Sequence, residues 1–447
     1  MSIARPDVRP PKAWAFPEAE RHRLSNGLQV ALYPLPGQHV TSTRINIPVP
    51  LAAEPRDREG VATIVSRTMD EGTASHTADE MAELFESNGV GLNAGVAQQG
   101  LWVDLEATTR NVGTAFGLAL ECLTEPVFPE NEVNRHRQQR LSQIDQELAD
   151  PGYRGTLEFV RTFYTPTSRA SRPSGGSRES LAGLTRDDCV AFHRQWVRPD
   201  DAFVVVAGDF DPQAMLTELD GTLGRWSGQG TAPMADAPTD APADDRGRVV
   251  FVHRPGSVQT EIQYGWVGPA RENGTQWAPH PVLSYVIGGT PHARIDSVLR
   301  EDKGYTYGMR GSFRPRSGFG QFVASGSVRG DATPDALRLL GEIFAQVDEG
   351  ITADELREGV DFLSMTAPAR YATADSVADE AASLQLVGLD TDFITDYLAA
   401  MRSLTVDDVN SAWRQWSSQP RTIVLVGDAD KYADQVDALG LGELTIV

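Results

Sequence analysis

Leu184-Thr185-Arg186-Asp187-Asp188-Cys189, then Phe192, Arg194-Gln195-Trp196 and Pro199, leads into a Val-rich run that stops at Gly208-Asp209-Phe210-Asp211. The same text returns about 220 residues later. It reads Leu404-Thr405-Val406-Asp407-Asp408-Val409, Trp413-Arg414-Gln415-Trp416 and Pro420, and its apolar run stops at Gly427-Asp428-Ala429-Asp430. A helix, the strand after it and its Gly-Asp-x-Asp stop all repeat in order, which chance similarity of two short helices would not produce. A fainter echo opens each copy. Pro36-Gly37 and Pro255-Gly256 each sit between two apolar runs. The chain is therefore read as two homologous domains in tandem, a layout that tends to create a site between the copies.

Composition marks the break between them. From Gly228 to Arg248 the sequence is dominated by Ala, Pro, Asp, Thr and Gly. Such a stretch cannot build a core and reads as a semi-extended linker. The expected division is 1–230, a linker at 231–247, and 248–447. A length of 447 residues suffices for two cores.

Within the first domain, two short strands flank Ser25-Asn26-Gly27, and Asn-Gly between apolar runs signals a hairpin. Thr41–Val49 alternates as a strand, and a helix follows from about Gly60 to Asp70. Thr77 with Glu80 three residues on forms a capping-box pattern for the next helix. Leu101–Thr108 reads as a strand, followed by helices over Val112–Leu123, Glu130–Leu148 and around Thr156–Phe163. This order predicts an α+β fold, two homologous α/β sandwich domains with one sheet each.

Several function classes are disfavoured. The net charge is −22, so a polyanion such as nucleic acid or an anionic membrane surface is a poor partner. No segment approaches 18 consecutive apolar residues, so no membrane span is expected. Met1 to Pro17 lacks the apolar run of a signal peptide, and the expected address is the cytoplasm. Cys122 and Cys189 lie in apolar helical patterns and read as core residues rather than nucleophiles. None of the eight histidines pairs with another at helical spacing, so no helix offers two imidazoles to a zinc ion. Gly175-Gly176-Ser177 is too short for a phosphate loop, and no nucleophile elbow is present.

Two segments carry a family resemblance. Gly60-Val61-Ala62-Thr63-Ile64-Val65-Ser66-Arg67-Thr68-Met69-Asp70-Glu71-Gly72-Thr73 resembles the zinc-motif helix of the pitrilysin/insulinase metallopeptidases, where the pattern is G-[LV]-A-H-x-x-E-H followed by G-T. Gly288-Gly289, Arg294 and Leu299-Arg300-Glu301-Asp302-Lys303-Gly304-Tyr305-Thr306-Tyr307-Gly308 resemble that family's C-terminal motif. The resemblance runs from Leu24 to Asp430. It implies two clam-like sandwich domains of the LuxS/MPP-like metallohydrolase fold.

The departures from the family pattern are chemical. Thr63, Ser66 and Arg67 stand at the H-x-x-E-H positions, and Gln143 stands where the family's distal glutamate ligand would be. A guanidinium and a neutral amide cannot hold Zn²⁺. The resemblance therefore implies no metal in this chain and zinc in a homologous H-x-x-E-H partner subunit. Arg300 and Tyr307 match the Arg/Tyr pair that the family's C-terminal domain contributes. A phenol aimed at a carbonyl oxygen that gains charge acts as an oxyanion donor, and an Arg beside it grips substrate. From local sequence alone, Arg300 reads as a solvated residue at a helix end and Tyr307 as a half-buried strand aromatic. The implied activity is metalloendopeptidase only as a complex, acting on peptides, with none from the chain alone. A catalytically inert structural or peptide-binding core subunit is the alternative. Gly318, Gly320, Gly326 and Gly330 are read as hairpin turns or as substrate contacts.

Overall fold

The computed structural model describes residues 12–228, 239–316 and 318–447. Residues 1–11 of the N-terminal segment and 231–238 of the expected linker lie outside the described residues.

The chain forms two units, each built on one six-stranded sheet. In the first, β1 (Glu20–Arg23), β2 (Gln29–Pro34), β3 (Val40–Ile47), β4 (Gly91–Val96), β5 (Leu101–Thr108) and β6 (Phe203–Gly208) lie in the order β1-β2-β6-β3-β5-β4. In the second, β7 (Arg248–His253), β8 (Gln259–Gly268), β9 (Arg310–Arg314), β10 (Gly320–Arg329), β11 (Thr422–Gly427) and β12 (Glu443–Ile446) lie in the order β12-β7-β11-β8-β10-β9. The five strands from β2 and β7 onward correspond one to one. The sixth differs. β1 joins as a hairpin antiparallel to β2, whereas β12 comes from the C-terminus and runs parallel to β7.

The sequence repeat folds as a repeat. Thr185 caps the helix Arg186–Trp196 with Asp188 closing the box, and Thr405 caps Val406–Ser417 with Asp408 doing the same. Cys189 and Val409 occupy the matching position, and both are fully buried. β6 and β11 are internal strands buried along their whole length, which is why each reads as an unbroken apolar run. The Gly-Asp stops and the Pro-Gly echoes touch each other. Asp209 Oδ2 accepts from Gly37 N at 2.9 Å, and Asp428 Oδ2 accepts from Gly256 N at 3.0 Å, with the same separation of 172 residues in both.

Two segments cross the division expected at the linker. Residues 12–16 belong to the second unit and 373–391 to the first. The continuous domains 1–230 and 248–447 are thus corrected at these places. The helix Ala374–Leu386 packs on β3 and β6, and it buries Val377, Ala378, Ala381 and Ala382, whose small side chains suit close approach to a sheet. At the other crossing, Trp14 stacks on Tyr371 with ring centres 5.6 Å apart. The described end of the expected linker, up to Ala243, belongs to the first unit. Thr165 N donates to Ala241 O at 2.9 Å and Ala243 N to Phe163 O at 2.8 Å.

Two local readings change. The hairpin at Ser25-Asn26-Gly27 is present, but only Gly27 has positive φ. Asn26 instead donates its amide to Leu223 O and Trp226 O, both at 2.9 Å. β4 was not expected, because Gly91, Asn93, Ala94 and Gly95 are weak strand formers. It pairs with β5 at all six positions.

Candidate functional site

In the first unit the site is framed by the helix Val61–Thr68 and the long helix Glu130–Ala149. Gly60 opens the shorter helix at φ 99°, and a Cβ there would lie 2.8 Å from Gly175 O, so glycine is required. The buried Glu54 accepts from Gly60 N and Ala62 N, both at 3.0 Å, and it pairs with Arg169 at 2.9 Å. This carboxylate at the helix start satisfies N–H groups that have no intrahelical partner.

Arg67 and Gln143 are brought together, as a ligand set on these two helices would be. Arg67 Nη1 donates to Gln143 Oε1 at 3.0 Å. Thr63, only 7% exposed, has a buried hydroxyl with no hydrogen-bond partner, and Ser66 Oγ donates to Thr63 O at 3.0 Å. Burial and the neighbouring Arg140 cation lower the pKa of Arg67, although Glu147 opposes them. Arg140 is held by Glu147 through two hydrogen bonds of 2.6 and 3.0 Å. Zinc needs several anionic or imidazole donors converging on it. Here Thr63 and Ser66 offer hydroxyls and Gln143 an amide that is bonded to the Arg67 guanidinium, and this set does not fit the ion.

Two clusters were missed from sequence, one of them His253, Asp428 and Asp430 in the second unit. Glu71, Glu132 and His136 bring ligand-type atoms within 4.8 Å of one another. The signal was the i,i+4 spacing of Glu132 and His136 on the long helix. Arg135 lies among them, donating Nε to Glu132 Oε2 at 2.5 Å and Nη2 to Glu71, so a cation already balances the carboxylates. His76 precedes a helix cap, and its Nδ1 lies 2.8 Å from Glu121 Oε1. Thr77 and Glu80 form the capping box of the helix Ala78–Asn88.

In the second unit, Arg300 lies in the wide π-type turn Ser297–Asp302, and Tyr307 lies in the loop before β9. Tyr307 is 95% exposed and makes no hydrogen bond among the described residues. It is therefore neither half-buried nor on a strand. The loop around it is fixed at both ends. Tyr305 OH donates to Asp335 at 2.7 Å, and Tyr305 O accepts from Arg329 N at 2.9 Å. Met309 N donates to Asp296 Oδ1 at 2.8 Å, and the fully buried Asp296 also pairs with Arg310. Gly326 of β10 lets this loop lie close, since a Cβ there would stand 2.8 Å from Gly308 O. Gly326 thus serves packing, and Gly318 belongs to the turn between β9 and β10. Arg300 is 41% exposed in its side chain and sits 3.5 Å from Glu301. No hydrogen bond joins it to Tyr307 among the described residues. Among those residues, too, no helix is long and apolar enough to cross a membrane.

Comparison with known proteins fits this geometry. Residues 29–154 match the profile of insulinase, peptidase family M16, and residues 183–363 match a profile described as the peptidase M16 inactive domain. The chain belongs to the insulinase family, M16. Among curated M16 relatives, it is 24% identical over 427 residues to an uncharacterised zinc protease of Streptomyces coelicolor, covering 93% of this chain and 91% of the relative. It is 22% identical over 360 residues to the non-peptidase homologue YmxG of Helicobacter pylori, covering 79% and 81%. Among solved structures, an M16 inactive domain from Pseudomonas fluorescens superposes with a TM-score of 0.83 at 21% identity, covering 92% of this chain and 98% of that one. The M16 fold and the resemblance to inactive members are thus established together.

Proposed function

We propose that this M16 chain is the non-zinc half of a two-subunit metallopeptidase. It supplies Arg300 and Tyr307 to a peptide bound at the zinc site of a homologous H-x-x-E-H subunit. The observation that carries this reading is Tyr307, an almost fully exposed phenol on a loop pinned at Tyr305, Met309 and Arg310. A surface tyrosine with no task needs no such anchoring, whereas an oxyanion donor must be held in place before the reaction.

The chemistry assigned to these residues is limited. Attack of water on a peptide carbonyl places negative charge on its oxygen, and the Tyr307 O–H donates a hydrogen bond there. Among the described residues Arg300 is held by an exposed pair with Glu301, a weak constraint, which leaves its guanidinium able to grip substrate carbonyls. This chain supplies no zinc ligand, and the partner would hold the metal. The names of relatives called inactive or non-peptidase support the absence of activity from this chain alone. They are equally compatible with an inert core subunit, and the anchored phenol argues against that alternative.

The test is reconstitution. The purified chain, a zinc-motif homologue from the same cell, and their mixture are assayed on a quenched fluorescent peptide. The account expects cleavage only from the mixture. Cleavage by this chain alone, or full activity of the homologue without it, would overturn the proposal.

A further inference from the structure

Arg67 is a half-buried cation without an anion. Its Nη1 donates to Gln143 Oε1 at 3.0 Å, and no carboxylate lies within ion-pair distance of it among the described residues. Glu147 is the carboxylate whose field reaches it, and Glu147 is committed to Arg140 by hydrogen bonds of 2.6 and 3.0 Å. In a chain of net charge −22, this guanidinium is left unneutralised, with most of its N–H donors unspent.

Two further donors stand with it. Gln143 meets Arg67 through its carbonyl oxygen, which leaves its Nε2–H group without a hydrogen bond among the described residues. Thr63 lies one helical turn before Arg67, on the same face of the helix Val61–Thr68. Its hydroxyl is buried, in a residue 7% exposed, and has no partner. A buried hydroxyl left unpaired is costly in the empty chain, and a ligand that accepts from it removes that cost. The groups left over are thus donors, around one uncompensated positive charge. Gln143 also lines an open depression of about 700 Å³ on the long helix, with Gln139, Ser142 and Gln146. Amides and hydroxyls both donate and accept, which matches the main chain of a peptide. Arg135 borders the same depression, and Glu71 and Glu132 balance it.

We infer that Arg67, Gln143 and Thr63 form a binding site for the C-terminal carboxylate of a peptide. The planar carboxylate pairs with the Arg67 fork, and the Gln143 amide and Thr63 hydroxyl donate to its oxygens. The residues before the C-terminus lie along Gln139, Ser142 and Gln146. The positions that exclude a cation thereby accept an anion. The site depends neither on Tyr307 nor on a zinc-bearing partner.

The test is calorimetric titration of the full chain with N-acetyl-trialanine as the free acid, with its C-terminal amide, with propionate and with inorganic phosphate. Saturable one-to-one binding of the free acid is expected, with the amide weaker by about tenfold or more, the ratio that a charge-assisted hydrogen bond supports. Propionate, a carboxylate without the main chain, and phosphate should both bind more weakly than the free acid. Arg67→Gln should lower the free acid to the affinity of its amide. Gln143→Glu should do the same, since it gives Arg67 a carboxylate of its own. Thr63→Val should weaken the free acid by about fivefold, yet leave the empty chain at least as stable to urea, because the hydroxyl it deletes is unpaired there. Thr63→Val decides the matter alone if the other variants fail to fold by circular dichroism. No saturable binding of the free acid, equal affinity for the amide, equal or tighter binding of propionate or phosphate, or wild-type affinity in Arg67→Gln or Thr63→Val would overturn the inference.

Discussion

Arg67 carries the clearest statement about metal. In the family pattern its position holds an imidazole, and here its guanidinium donates to Gln143, the position of the distal ligand. A second guanidinium, Arg140, stands close enough to depress its pKa further. Bringing Zn²⁺ to this spot would place a dication beside the Arg67 and Arg140 cations, with hydroxyls and an amide at the motif positions. The purified chain should therefore carry no stoichiometric zinc by elemental analysis after gel filtration. One zinc per chain that disappears in Gln143→Ala would contradict this account. Zinc that disappears in His136→Ala would instead assign a metal to Glu71, Glu132 and His136. Thr63, Ser66 and Arg67 could be grouped from the sequence because a helix keeps its spacing, and Gln143, on a second helix, only through the family resemblance. The setting of Tyr307 was not legible. Its exposure depends on Asp296, 13 residues before Met309, and on Asp335, 30 residues after Tyr305, and spacing within the motif says nothing about such anchors.

Helix caps and the repeated helix–strand pairs were legible because they are set by residues three or four apart. Thr77 forms the box its sequence suggests, and Thr185 and Thr405 form boxes closed by Asp188 and Asp408 that the sequence reading did not name. β4 was hidden because its pairing partner, rather than its composition, makes it a strand. The helix Ala374–Leu386 was hidden for a similar reason, since nothing local tells a helix which sheet it covers. Its attachment has a measurable consequence. Arg44 on β3 meets Asp104 at 3.2 Å and Glu106 at 3.1 Å, and it also pairs with Asp375 from that helix. Burial pushes the Asp104 carboxyl up to about 6. Asp379, Asp375 and Glu106 add to the rise, and Arg44 works against it. A carboxyl raised above its unfolded value of 3.8 binds its proton more tightly in the fold. Its contribution to stability is present at low pH and is lost as pH rises through about 6. Two histidines, the half-buried His193 and the buried His280, oppose this, since loss of hydration lowers both to about 4 and stability falls as pH drops toward that value. Comparing variants separates the effects. Asp104→Asn should gain stability over the wild type as pH rises from 5 to 7.5, by about 1 kcal/mol. Chemical denaturation at both pH values measures it, and parallel behaviour of the two proteins would contradict the assignment.

At the scale of the whole molecule, duplication explains both the shared sheet order and the divergence of the two halves. Equal separations between Gly37 and Asp209 and between Gly256 and Asp428 show one ancestral design used twice. The sequence repeat made this legible. It did not reveal that the edge strand comes from opposite ends of the chain in the two sheets, because an edge strand needs only one partner and either terminus can supply it. The halves have since taken different chemistry. The first holds a guanidinium–amide contact between Arg67 and Gln143, and the second holds an exposed phenol on a fixed loop. If that phenol donates to a developing oxyanion, its effect belongs to the transition state and falls on kcat rather than on KM. The decisive measurement is steady-state peptide cleavage by the reconstituted pair carrying Tyr307→Phe. The account predicts a fall in kcat on the order of 10²–10³ with KM and assembly little changed. An active pair whose kcat is untouched by Tyr307→Phe would make this chain a scaffold and contradict the account.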